Sequence, residues 1–85
     1  MKFEIEYIYK GKPSYIFARN LTPGQNFSIG SKAYLNQIEI EPNLTMPRAL
    51  NEKGEPRLDL FVFFLISPSD IEHFQNKMIV ELTGD

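Results

Sequence analysis

Between residues 58 and 66 the chain is apolar at eight of nine positions, with only Asp59 interrupting. That is far short of the ~20 residues that span a bilayer, and its β-branched and aromatic content suits a strand. Alternation sets Leu58, Leu60, Val62, Phe64 and Ile66 on one side and Asp59, Phe61, Phe63 and Leu65 on the other. Both sides are greasy, so both need cover. A lone carboxylate is rarely buried unpaired, and Asp59 shares the parity of Phe61, Phe63 and Leu65. The pattern therefore predicts Leu60, Val62 and Phe64 inside, with Phe61, Phe63 and Leu65 on the surface. Phe74, from a following helical turn, would shield only part of that patch. Such a patch is expected to be used, as a partner or self-association surface centred on Phe61 and Phe63.

The remaining pattern is also that of short strands. Residues 3–9 alternate, which predicts a first strand with Phe3, Ile5, Tyr7 and Tyr9 on one face. Gly11 and Pro13 break it, and residues 14–21 resume with Tyr15, Ile16 and Phe17. Thr22-Pro23-Gly24-Gln25 reads as a turn, residues 26–29 as a short strand and residues 32–41 as another. Residues 43–57 hold Pro47, Gly54, Pro56 and an all-polar run at 51–55, the composition of a mobile loop, with room for a short strand at 44–46. Ser69-Asp70-Ile71-Glu72 has the spacing of a capping box, predicting a short helix to about Asn76. Residues 78–82 form the last strand. The expected fold is all-β: a small closed or partly open barrel of about six strands, with one short helix before the last.

Composition narrows the class. With 85 residues the chain is one domain, 1–85, and its 42% hydrophobic and 24% charged content is that of a folded globule. A net charge of −2 with scattered basic residues argues against a nonspecific grip on DNA or other nucleic acid. The absence of cysteine excludes disulfides, zinc–thiolate sites and a thiol nucleophile. The start of the chain alternates charge without the apolar stretch of a signal peptide, and no run reaches membrane-spanning length. A cytoplasmic protein is expected, with no membrane partner.

The order of the turns resembles domain II of the translational GTPases, the β-barrel of elongation factor Tu and its relatives. Ile5-Glu6-Tyr7-Ile8-Tyr9 is similar to the family's opening Ile-Glu-Asp-Val-Phe type strand. Gly11-Lys12-Pro13-Ser14-Tyr15-Ile16-Phe17-Ala18-Arg19 resembles its Gly-Arg-Gly-Thr-Val-Val-Thr-Gly-Arg hairpin, followed by Gly24 and Phe27-Ser28-Ile29-Gly30-Ser31. Its closing pattern is similar to residues 62–65, Ser69-Asp70-Ile71-Glu72 and Met78-Ile79-Val80. In the factors this domain cradles the end of a charged tRNA and leans on a GTPase domain. The resemblance implies a stand-alone barrel in which Glu6 and Tyr9 hold pocket positions, while Tyr7 stands where the family has an Asp.

Catalytic chemistry finds little purchase. No phosphate-cradling Gly-x-x-x-x-Gly-Lys-Ser/Thr occurs, so a nucleotide hydrolase is not expected. His73 is the only histidine, and beside Asp70 and Glu72 it reads as a solvated turn and not as a metal or acid–base site. Glu4/Glu6 and Glu39/Glu41 read as the wet sides of half-buried strands. No serine sits in a Gly-x-Ser-x-Gly elbow. Neither an enzyme nor a cofactor is expected.

Aromatics make up 13% of the residues. Tyr7, Tyr9, Tyr15 and Phe17 could form a platform for stacking RNA bases, with Glu6 and Arg19 at hand and Lys10 and Lys12 nearby. Two functions follow. The first is a noncatalytic module that binds a protein partner or itself. The second is an accessory that binds RNA or a tRNA end.

Overall fold

Six stretches of the described residues keep enough alternation, between effective turns, to pair as strands. The computed structural model describes residues 1–22, 29–43 and 45–84. It contains β1 (Lys2–Tyr9), β2 (Tyr15–Asn20), β3 (Ala33–Leu35), β4 (Ile38–Ile40), β5 (Leu60–Phe64), a 3-10 helix (Pro68–His73) and β6 (Ile79–Gly84). All pairings are antiparallel, in the order β4-β3-β6-β1-β2-β5. The end strands β4 and β5 touch through a bridge between Ile40 and Leu65, and the Glu41 amide donates to the Phe64 carbonyl at 2.9 Å. The result is a partly open barrel with its short helix before the last strand. The strand and turn expected at 22–29 fall largely outside the described residues.

The core corrects the sidedness expected of β5. Phe63 is fully buried, and its ring meets the equally buried Phe3 edge-on at 5.1 Å. Leu65 and Phe74 are each only 3% exposed, and half-buried Phe61 meets Phe3 edge-on at 5.8 Å. These four residues build the interior; they are not an exposed patch. Asp59 misled the parity argument because it precedes β5 in a bend, where strand alternation does not apply, and has its own partner in Arg57. Leu60 and Val62 are buried as well, on the opposite side of β5. Phe64, expected inside, is half-exposed.

Residues 32–41 form a hairpin instead of one strand. Leu35 pairs with Ile38 around Asn36 and Gln37, whose φ values of 51° and 69° are those of a two-residue type I′ turn. Asn36 adds a second anchor: its amide donates to the Glu81 carbonyl at 2.9 Å and its Oδ1 accepts the Glu81 amide at 2.8 Å.

The expected capping box does not form either. The helix is 3-10, Ser67 stands at its N-cap without a side-chain cap bond, and Pro68 opens it. Pro68 fixes φ for a first helical position, so the turn starts before Ser69. Ser69 Oγ lies 3.1 Å from Ser67 Oγ, and both residues are exposed. Ser69→Ala should therefore shift a urea unfolding midpoint by no more than an exposed substitution does, within about 0.5 kcal/mol.

Of the run at 43–57, residues 45–57 carry more order than their composition indicates, and the strand expected at 44–46 lies partly outside the described residues. Thr45 bridges to Val62, and its carbonyl accepts the Val62 amide at 2.8 Å. Asn51 knits the polar tip: its Oδ1 accepts the amides of Lys53 and Glu55 at 2.9 and 3.0 Å. Arg57 is fixed by side-chain bonds to Glu6 and Asp59. Limited trypsin digestion should cut after exposed Lys53 and Arg48 well before Arg57, as mass spectrometry of the earliest fragments would read.

Candidate functional site

One extra residue in β1 builds the most distinctive surface of the molecule. Ile5 faces Ala18 and Tyr7 faces Phe17, so the register slips by one at Glu6. This bulge switches the parity of the strand. Phe3 and Ile5 point into the core, whereas Tyr7 and Tyr9, expected on their face, point out and are 50% and 42% exposed. Without the bulge the two tyrosines would be driven into the interior.

Register then assembles an outer face across three strands. Tyr9, Tyr15 and Phe64 form one row, and Tyr7, Phe17 and Val62 the next. The rings touch throughout. Tyr9 stacks on Tyr15 at 4.7 Å and 18°, and Tyr15 meets Phe64 at 5.7 Å and Phe17 at 5.5 Å. Tyr7 stands against Phe17 at 5.8 Å and 69°. Gly11 lies so close to Tyr9 that a Cβ there would fall 2.1 Å from ring carbon Cε2. Tyr9 is thereby packed against both Gly11 and the Tyr15 ring.

A cluster of charges closes one end of the face. Arg57 clamps Glu6 with two hydrogen bonds of 2.8 Å and reaches Asp59 with two of 3.2 Å. Arg19 binds the Glu4 carboxylate and lies 3.6 Å from Glu6. Hydrogen bonds from Arg57 hold the Glu6 and Asp59 carboxyls below their ordinary values of 4.5 and 3.8, against an opposing push from burial. The same bonds raise Arg57 further above the ordinary arginine range. A depressed carboxyl contributes stability above its unfolded pKa and loses it as pH falls through the folded value. Arg57→Gln should thus cost about 1 kcal/mol near neutrality, for partly exposed pairs, and the gap to wild type should close below roughly pH 4. Urea melts across that range would read it.

Comparison with family models, curated proteins and solved structures gives no match for this chain. The candidate site therefore rests on geometry alone.

That geometry brings Glu6, Tyr7, Tyr9, Tyr15 and Arg19 to one face, as the sequence reading grouped them. It separates them from Phe61, Phe63, Leu65 and Phe74, which lie within. The sequence reading missed Phe64, Arg57 and Asp59 as parts of this face. Arg57 and Asp59 were detectable in principle, because a carboxylate entering an apolar strand needs a cation and one stands two residues earlier. Among the described residues no group of three or more His, Cys, Asp or Glu is placed to hold a metal, and no helix is long and apolar enough to cross a membrane.

Proposed function

We propose that the outer aromatic face of β1, β2 and β5 is the working surface of a noncatalytic binding module that docks a protein, either another chain or a second copy. One observation carries this reading: Tyr7 and Tyr9 remain half-exposed on a face they share with Tyr15, Phe17 and Phe64. Contiguous rings presented to water mark interaction surfaces, and tyrosine is favoured there because its body is apolar and its tip polar. The charge cluster at one end supplies a polar rim. Such a module fits a cytoplasmic protein without disulfides.

RNA binding is the second reading. Its support is the run of tyrosines beside exposed Lys10 and Lys12, together with the resemblance to the tRNA-cradling barrels. Ring geometry favours the first. A base stacks on an open ring face, and one face of Tyr9 is already taken by Tyr15. Arg19 is committed to Glu4.

The double variant Tyr7→Ser/Tyr9→Ser tests the proposal. It removes half-exposed rings that also pack on Phe17 and Tyr15, so the melting temperature should fall by about 10 °C while the protein stays folded. Sedimentation equilibrium measures self-association, and selection from a peptide library displayed on phage measures docking of another chain. Wild type should self-associate or select peptides, and the variant should lose that property. Peptides that bind both forms alike, or an RNA affinity that falls steeply with salt and with the tyrosines, would overturn the protein-docking reading.

A further inference from the structure

Leu60 and Val62 raise a question that the core does not answer. They lie on the outer side of β5, across from Arg19 and Phe17, yet they are only 3% and 5% exposed and stand apart from the main hydrophobic cluster. A strap of residues 45–57 runs beside β5, joined to it by the pairing of Thr45 with Val62. Near its other end the Arg57 amide donates to the Ala49 carbonyl at 2.9 Å. Pro47 and Ala49 are half-buried, while Met46 and Leu50 turn outward at 43% and 66% exposure.

We propose that this strap is a lid over the far end of the docking face, latched by Arg57 to Glu6. The inference rests on the docking reading of that face and adds its regulation. Three features support it. The row Tyr7–Phe17–Val62 is continuous beneath the strap, so lifting the strap lengthens the apolar surface by Val62 and Leu60. The latch is polar and partly exposed, with the Arg57 side chain at 21% and Glu6 at 34%, so it opens far more readily than a core contact. Finally, the latch receptor is the bulge residue itself. The same irregularity that turns Tyr7 and Tyr9 outward also aims Glu6 at the strap. The other charges around the latch are Asp59 on the strap's own end, Glu4 on β1 and Arg19 on β2, and all of them are paired.

Native-state hydrogen exchange of Arg57→Gln tests the latch without any partner. The Val62 amide, bonded to Thr45, should exchange about thirtyfold faster or more, while the Ile5 and Leu65 amides, bonded to Met78 and Ser14, rise by no more than about fivefold, the effect of the variant's global destabilisation. Glu6→Gln should act in the same direction and serves if Arg57→Gln folds poorly. An unchanged Val62 amide, or equal acceleration of all three, would overturn the latch. The regulatory role is read with a phage-selected peptide, whose affinity should rise at least about threefold on Arg57→Gln, roughly 0.6 kcal/mol. Unchanged affinity with fast Val62 exchange would overturn the lid. Failure of the docking reading is separately visible, as equal peptide binding by the Tyr7→Ser/Tyr9→Ser variant.

Discussion

Phe63→Ala should cost about 3–5 kcal/mol, which is most of the stability of a domain this small. The ring is fully buried and edge-on to Phe3, so truncation leaves a cavity at the centre of the barrel and removes one of the rings packed on Phe3. Phe63→Lys should not fold at all, because no partner in that interior could hold an ammonium group. Phe64→Ala, one residue along and half-exposed, should cost no more than about 2 kcal/mol, the lower part of the range for losing an apolar side chain. Urea denaturation of the two alanine variants reads the contrast directly. Equal losses would mean that the two sides of β5 are not distinguished as described.

The second large effect is expected at the β3–β4 turn. Asn36→Ala loses the side chain's bond to the Glu81 amide and puts a residue with no αL preference at φ 51°. Together these should cost roughly 2–3 kcal/mol, from about 1–2 for the left-handed conformation and about 1 for the hydrogen bond. Asn36→Gly keeps the conformation and should lose only the hydrogen-bond part, so the pair of variants separates the two causes. Gln37→Gly should stabilise by about 0.5–1 kcal/mol, since Gln37 also holds a positive φ, 69°, without glycine's freedom.

Much of the fold was legible because β-strands announce themselves by alternation: β2, β3, β4 and β5 lie within runs that the pattern assigned, and β1 and β6 overlap theirs. The all-β class follows from that signal, whereas the short helix before β6 was placed by a capping-box spacing that the structure does not use, and the run at 32–41 supplies two strands where one was expected. Three failures share one physical origin: each is a local break in a periodic argument. Glu6 inserts a residue into β1, Asn36 and Gln37 fold a continuous polar–apolar run back on itself, and Asp59 stands just outside the strand whose parity it was used to fix. A single residue out of phase exchanges the two faces of a strand, so small local events reversed large conclusions. The grouping of Tyr7, Tyr9, Tyr15 and Arg19 survived because these residues are close in sequence and joined by one hairpin. Arg57 joins Glu6 across a sequence separation of 51, which periodicity cannot see.

Sheet order has a consequence for how the chain reaches this state. β6 lies between β1 and β3, so the β3–β4 hairpin has no lasting place in the sheet until the segment from Ile79 to Gly84 is available. The β1–β2 hairpin and its pairing with β5 can form earlier, leaving the far edge of β1 open in the meantime. Such non-local closure belongs to topologies that fold in milliseconds to seconds, and an open edge is where chains pair wrongly with one another. During synthesis this barrel is exposed to aggregation until the β6 segment emerges, and its yield on refolding should fall as protein concentration rises.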